Sequence, residues 1–99
     1  MDRGSFVTYP DGKVKEVKNL GYLLRNWKHI EVFQVEKFIP ENGTIEALLS
    51  ATFTDGRIYS TSYCSKEILR AWLDRPVFRG CYVWWFGKLE VIGKYFGKG

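Results

Sequence analysis

The stretch IEALLSATFTDGRI, residues 45–58, decides the fold class. Every second residue from Ile45 to Phe53 is apolar, with Glu46, Ser50 and Thr52 between them, and a period of two is typical of a strand with one face in a hydrophobic core. Asp55-Gly56 follows directly, and Asp-Gly between strand-forming residues is the strongest short-range signal for a β-hairpin. The stretch therefore predicts a strand, a tight turn and a second strand over about 57–63.

Three further turn signals extend this sheet. Asn42-Gly43 joins the first strand to a predicted strand over about 32–40, which completes a three-stranded meander. Asp11-Gly12 marks another hairpin earlier in the chain. Gly87-Lys88 is a weaker signal, because glycine at the first loop position suits a type II′ turn. Four hairpins predict a mostly antiparallel sheet of about seven strands.

Two stretches have the helical period, and each is predicted to span about ten residues. Helices this short are held by packing their apolar stripe on the sheet. The first, capped by Asn19, has the stripe Leu20, Leu23, Leu24 and Trp27. The second, capped by Ser65 and ended by Pro76, has the stripe Ile68, Leu69, Trp72 and Leu73.

The chain also matches itself at an offset of 44 to 45 residues. Asp11-Gly12 matches Asp55-Gly56, and with one added residue Trp27 matches Trp72. Val32-Phe33 then matches Val77-Phe78. We interpret this as a tandem β-β-α-β repeat, the alternative being two similar solutions to one packing problem. Such repeats usually pair across a pseudo-twofold axis, which would make the two tryptophans equivalent core anchors.

The chain is predicted to be a single α+β domain over residues 1–99. Unit one covers about 5–40, unit two about 44–86 and the final strand about 89–95. Hydrophobic residues make up 45% of it and aromatic residues 17%, which is ample material for one core. With no long apolar run and no secretory pattern at Met1–Ser5, we expect a cytoplasmic protein that has no membrane partner.

Few residues are suited to catalysis or metal binding. The chain has two cysteines, Cys64 and Cys81, and one histidine, His29, too few for a disulfide framework or a structural zinc site. No nucleophile motif or phosphate-binding glycine loop accompanies them, and the glutamates alternate with apolar residues as solvent-facing strand positions do. We expect no cofactor and no enzymatic activity.

The net charge of +4 is concentrated in the last quarter of the chain. Residues 1–74 sum to zero, whereas 75–99 hold five basic residues against Glu90. Arg75 and Arg79 flank an apolar pair in a loop, where arginine forks suit carboxylate or phosphate recognition. The alternative is that Val77 and Phe78 fill the core and leave the arginines merely exposed.

Two adjacent tryptophans follow this loop. In a strand, Trp84 and Trp85 point to opposite faces, so we expect one of them to be exposed or to cover a second layer. An exposed tryptophan could anchor a protein interface or stack on a nucleobase. The predicted binding residues are Arg70, Arg75, Arg79, Trp84, Trp85, Lys88 and Lys94.

These observations favour a small non-catalytic binding module that acts by protein–protein contact, as an adaptor or inhibitor. A basic nucleic-acid-binding accessory protein is the alternative, and a small enzyme is third. A protein partner is favoured because +4 is a modest charge for a nucleic-acid binder. A homodimer is a further option, and the size suits an accessory gene of a phage or other mobile element.

Overall fold

The computed structural model describes residues 5–18, 20–38, 46–63 and 65–93. They form a small α+β fold with a seven-stranded sheet and two helices, which confirms the predicted α+β class and the number of strands and helices. The strands are β1 Ser5–Thr8, β2 Val14–Val17, β3 Ile30–Phe38, β4 Glu46–Phe53, β5 Ile58–Tyr63, β6 Tyr82–Trp85 and β7 Lys88–Val91. The helices are α1 Gly21–Arg25 and α2 Lys66–Leu73, and 3₁₀ turns lie at Trp27–His29 and Pro76–Phe78.

The strand order in the sheet is β2-β1-β5-β4-β3-β6-β7. Neighbours are antiparallel except β3 and β6, which pair in parallel from Val32 opposite Tyr82 to Val35 opposite Trp85. The exception follows from the connections, because each helix carries the chain over the sheet to a strand that runs in the same direction as the one before the helix. The sheet is therefore mixed, although mostly antiparallel.

The two Asp-Gly hairpins have the same hydrogen-bond geometry. Gly12 N–H donates to the Tyr9 carbonyl at 2.8 Å, and Gly56 N–H donates to the Phe53 carbonyl at 3.0 Å. The Asp11 and Asp55 carboxylates each accept from the N–H two residues on, at 2.9 and 3.1 Å. Among these loop residues only the glycines have positive φ, +92° and +97°. Each loop is thus a type I turn closed by a glycine bulge, one residue longer than a two-residue turn.

The β6–β7 loop differs from its prediction. Its two residues are Phe86 and Gly87, at φ 49° and 88°, between the paired Trp85 and Lys88. Positive φ at both positions is the type I′ geometry, which matches the twist of a hairpin, so Gly87 is the second loop residue and not the first. The predicted Asn42-Gly43 turn lies outside the described residues, and the final strand ends at Val91.

Helix α2 begins as predicted, with Ile68 N–H donating to Ser65 Oγ at 3.2 Å. Leu69 and Leu73 are buried, but Ile68 is 66% exposed, so its place in the core stripe was wrong. The buried stripe of this eight-residue helix is narrow, and Ile68 lies one helical step, about 100°, away from Leu69.

Helix α1 is only five residues long, and its predicted cap Asn19 lies outside the described residues. Leu20 and Leu23 are buried as expected. Trp27 is 43% exposed, so the prediction of a core tryptophan here was wrong. Because α1 ends at Arg25, Trp27 falls in the following 3₁₀ turn and leaves the stripe.

Both helices pack on one face of the sheet, which we call the covered face. The cross-strand register aligns five of its buried residues in one row: Val7, Tyr59, Ala51, Phe33 and Val83. Leu23, Leu69 and Leu73 join the same buried cluster. Phe78 is also fully buried, and its ring meets Phe33 edge-to-face at 5.2 Å. The alternative interpretation of Val77-Phe78, that this pair fills the core, therefore holds for Phe78.

The two β-β-α-β halves do not pair across a twofold axis. Such an axis normal to the sheet would make equivalent strands antiparallel, whereas β1 and β4 run in the same direction with β5 between them. Trp72 packs partly buried against Phe78 at 5.1 Å, whereas Trp27 is exposed. The predicted twofold relation and the equivalence of the two tryptophans are both wrong, because the hairpins are related by a shift along the sheet.

Candidate functional site

The other face of the sheet has neither α1 nor α2 packed on it, and we call it the open face. Two rows of in-register side chains cross it from edge to edge. The first row is Val14, Thr8, Ile58, Thr52, Val32, Tyr82 and Val91. The second row is Glu16, Phe6, Ser60, Ser50, Gln34, Trp84 and Leu89.

Large apolar side chains of the open face are exposed in two groups. On β6 and β7, Tyr82 is 51%, Trp84 43% and Leu89 48% exposed. On β1 and β5, Phe6 is 43% and Ile58 44% exposed. Serine and threonine occupy the middle of both rows. An apolar surface this wide is typical of an interaction site, whereas apolar side chains exposed singly are normal on any protein.

The two rows of the open face carry almost no charge. Glu16 is the one charged residue in the two rows, and Glu36 lies beside them on β3. Lysines at both edges, Lys15 on β2 and Lys88 on β7, fall in register with residues of the covered face. These two lysines therefore do not lie on the exposed aromatic surface.

The prediction that the two adjacent tryptophans lie on opposite faces is confirmed. Trp84 is the exposed one, on the open face in register with Gln34 and Leu89. Trp85 packs partly buried against the core on the covered face. Its ring meets the Phe86 ring edge-to-face at 5.1 Å.

Arg70 is held by contacts within the chain. Its Nη2 donates to Glu90 Oε1 at 2.7 Å, and its Nε lies 3.3 Å from Asp74 Oδ2. The guanidinium also stacks over the Trp85 ring at 5.0 Å. These contacts tie α2 to β6 and β7, which argues against Arg70 as a contact to another molecule.

The remaining predicted basic residues lie at two ends of the molecule. Arg75 and Arg79 are exposed beside the second 3₁₀ turn, where the Arg75 guanidinium lies 5.4 Å from the Trp72 ring. The Arg79 stem lies so close over Gly93 that a Cβ there would be 2.5 Å from Arg79 Cγ. Lys88 is exposed at the far end of β6, and Lys94 lies outside the described residues. The structure does not bring the predicted set together around Trp84.

A shallow depression of about 440 Å³ lies where β6 ends beside β3. Phe86 N–H donates to the Val35 carbonyl at 2.8 Å, after which the chain turns away while β3 continues to Phe38. Phe86 is 37% exposed and held at φ 49°, a conformation that costs a bulky residue about 1–2 kcal/mol. The depression is lined by Gln34, Val35, Glu36, Lys37, Trp84, Phe86 and Gly87.

Sequence reasoning missed Tyr82, Leu89 and Phe86 as parts of this surface. Alternation along β6 is a signal that could have identified Tyr82, since it must share a face with Trp84. Leu89 is the cross-strand partner of Trp84, so a correct loop assignment would have identified it as well. Phe86 carried no comparable signal, because an aromatic residue at a type I′ position is unusual.

A second polar cluster, around Arg57, is structural. Arg57 Nε donates to Asp55 Oδ2 at 2.8 Å, and its Nη1 donates to the Tyr22 hydroxyl at 2.5 Å. The guanidinium also stacks over the Phe53 ring at 4.7 Å. Burial raises the pKa of the Tyr22 hydroxyl, and the positive charge of Arg57 beside it lowers that pKa by a smaller amount. The cluster ties α1 to the β4–β5 hairpin and leaves little room for a ligand.

The described part of the chain contains no group of three metal-ligating side chains and no helix long and apolar enough to cross a membrane. Cys81 is half-buried, and burial raises the pKa of its thiol, which disfavours the nucleophilic thiolate at neutral pH. Cys64 lies outside the described residues. Comparison with known proteins finds no match to a family model, to a curated protein or to a solved structure.

Proposed function

We propose that this protein is a non-catalytic binding module that contacts a protein partner through the open face, with Trp84 as the main anchor. The observation that carries the proposal is the continuous surface on which Tyr82, Trp84 and Leu89 are each more than two-fifths exposed. Tryptophan and tyrosine are enriched among the residues that dominate protein interfaces. Serine, threonine and glutamine on the middle strands would supply hydrogen bonds beside them.

A protein fits this surface better than a nucleic acid does. Surfaces that bind single strands combine stacking aromatic rings with a basic groove that follows the phosphates. Here the depression beside Trp84 is lined by Glu36 as well as Lys37, so the described residues around the aromatic rings of β6 form no basic groove. Arg75 and Lys88, which could contact phosphates, lie away from the exposed Trp84 ring.

Two tryptophans with equal exposure allow a matched test. Trp84 and Trp27 are both 43% exposed, but only Trp84 lies on the open face. We expect the immobilised full chain and its Trp27→Ala variant to capture the same protein from the native host, and Trp84→Ala to lose it. Equal capture by all three would contradict the proposal.

Nucleic-acid binding is measured in parallel with mixed single- and double-stranded probes at about 50 mM salt. We expect no binding. Affinity that falls steeply as salt is added, by about one unit of log-log slope per phosphate contact, would replace the protein partner with a nucleic acid.

We also infer that the repeat arose by duplication of one β-β-α-β unit. The same element order in both halves and the identical hydrogen bonds of the two Asp-Gly hairpins support this. The different settings of Trp27 and Trp72 would then have arisen after duplication, as α1 shortened and the two halves took different places in one sheet.

A further inference from the structure

We infer that the protein that covers the open face is a second copy of this chain, paired about a twofold axis that runs along β4. The inference rests on the proposed function, since it names the occupant of the same surface. β4 is the middle strand of the seven, with three strands on either side of it. Two copies stacked open face to open face would form a two-layer β core with the helices outside.

The axis determines which residues meet. A twofold axis parallel to β4 and midway between the sheets brings each strand over the strand at the same distance on the other side of β4. In the strand order, β1 lies two strands from β4, as β6 does, and β5 and β3 are its two neighbours. Each residue keeps its row, so the first row meets the first row and the second meets the second.

Under this operation three kinds of apolar pair meet, whereas Tyr82 falls opposite Thr8 and Leu89 falls opposite Glu16. Phe6 on β1 falls opposite Trp84 of the second copy, within the second row. In the first row Ile58 falls opposite Val32, and Val14 falls opposite Val91. The axis therefore brings one residue of each exposed apolar group, Phe6 and Trp84, together across the interface.

Polar residues are matched by the same axis. Ser60 falls opposite Gln34, and the small residues Ser50 and Thr52 of β4 face their own counterparts across the axis. Glu16, the one charged residue of the rows, falls opposite Leu89 at the rim.

The perpendicular axis is a poorer solution. A twofold axis across the strands, between the two rows, would exchange the rows and leave each strand over its own copy. Glu16 would then cover Val14, and Ser60 would cover Ile58. Phe6 would cover Thr8 and Gln34 would cover Val32, which makes four kinds of apolar–polar pair against two for the axis along β4, so the rows favour the axis along β4.

The area of the open face is close to the lower bound for a stable dimer interface. Seven strands spaced at about 4.8 Å span about 34 Å, and strands of about five residues are about 17 Å long, which gives about 570 Å² of flat surface. Side chains that project from the sheet add to this area. The lower bound for a stable interface is about 600 Å² from each partner, so the open face reaches the required size only if most of it is covered.

The test is sedimentation equilibrium of the full chain at about 100 µM, a concentration that populates even a weak interface of this size. We expect a dimer. Phe6→Glu and Trp84→Lys should each weaken dimerisation by at least about tenfold, since each places a charge against an aromatic ring at the interface. Trp27→Lys, at an equally exposed tryptophan outside the open face, should leave the dimer unchanged.

The double variant Phe6→Glu/Trp84→Lys tests the axis directly. If Phe6 lies opposite Trp84 of the second copy, every introduced carboxylate faces an introduced ammonium, and the dimer should recover at low salt. Circular dichroism melts verify that each variant is folded. If Trp84→Lys does not fold, Trp84→Ala takes its place as the milder change at the same position.

A monomer at every concentration, a dimer that survives Trp84→Lys, or a double variant that stays monomeric would each overturn the inference. Failure of the dimer and failure of the proposed function give different results. If the chain is monomeric but Trp84→Ala still loses its captured protein, then the open face binds a different protein and only the dimer is wrong. If the chain is a dimer and Trp84→Ala captures normally, the second copy is the occupant and other proteins bind elsewhere.

Discussion

The two faces of the sheet are made by the same strands, but one face is buried under the helices and the other is exposed. On β6, Val83 is fully buried under the helices, whereas its neighbour Trp84 is 43% exposed on the other side. On β1, Val7 and Phe6 show the same contrast. Burial of apolar area drives folding, so the stability of the monomer depends on the covered face. The open face has apolar area still to bury, and that area is available for contact.

The largest expected effect comes from equal truncations on the two faces. Phe33→Ala on the covered face should lower the free energy of unfolding by about 3–5 kcal/mol, because the ring is fully buried and leaves a cavity. Phe6→Ala on the open face should lower the monomer's stability by less than about 1 kcal/mol. Urea unfolding at low protein concentration measures both, and similar losses would remove the contrast between the faces.

The next effect is a loss of stability at alkaline pH that originates on the covered face. Burial raises the pKa of Tyr59 from 10.0 to about 12, and its hydroxyl donates to Ser5 Oγ at 3.0 Å. Below pH 10 both states carry the proton and the stability is fully present. Between pH 10 and about 12 the unfolded state ionises first, so stability falls by up to about 3 kcal/mol.

Tyr59→Phe should lose less stability over that pH window than the wild type, because it has no phenol to ionise at this position. Ser5→Ala is the control, since it removes the hydrogen-bond partner but keeps the buried phenol. Guanidinium unfolding at successive pH values gives, for each variant and the wild type, the slope of the unfolding free energy against pH. Equal slopes for Tyr59→Phe and the wild type would assign the alkaline loss to other groups.

A moderate effect separates two arginines that the sequence grouped together. Arg70→Ala should lower the free energy of unfolding by about 1–3 kcal/mol, because it leaves the partly buried Glu90 without its ion pair. Arg75→Ala, which loses only an exposed contact with the Trp72 ring, should cost less than about 1 kcal/mol. The double variant Arg70→Ala/Glu90→Ala should be less destabilised than the sum of its single changes, and strict additivity would show that the pair is uncoupled.

The smallest expected effect is a gain of stability at the tip of the β6–β7 hairpin. Phe86→Asn should raise the free energy of unfolding by less than about 1 kcal/mol, because asparagine followed by glycine is preferred in a type I′ turn. Phe86→Ala keeps the unfavourable φ and loses the ring, so it should lower stability. Thermal melts compare the two. A loss in Phe86→Asn as large as in Phe86→Ala would mean that the contact with Trp85 outweighs the backbone strain.

The fold was largely predictable because its signals are local. Alternation in residues 45–53 and the Asp-Gly turns required only the period of a strand and the conformational freedom of glycine. The Ser65 cap was predictable for the same reason, since it depends on residues three apart. Trp27 was placed wrongly because its stripe position assumed a helix longer than the five residues of α1.

The site was less predictable because it depends on which face the helices cover. Alternation shows that Trp84 and Trp85 lie on opposite faces, but only the packing of α2, with Arg70 over Trp85, assigns Trp84 to the open face. The sequence shows correctly that residues 75–99 hold more basic than acidic residues. Among the described basic residues, Lys88 lies at the far end of β6 and Arg75 and Arg79 lie beside the second 3₁₀ turn, and this separation followed from chain connections far apart in sequence.

Taken alone, the sequence determined the strands, the hairpins and the division of each strand into two sides, because these follow from neighbouring residues. Only the tertiary structure decided that β6 lies beside β3 in parallel, that both helices cover the same side, and that Phe6 and Trp84 lie equally far from β4. The physical reason is that strand order and helix placement depend on long-range burial, to which every element contributes and which no short stretch encodes.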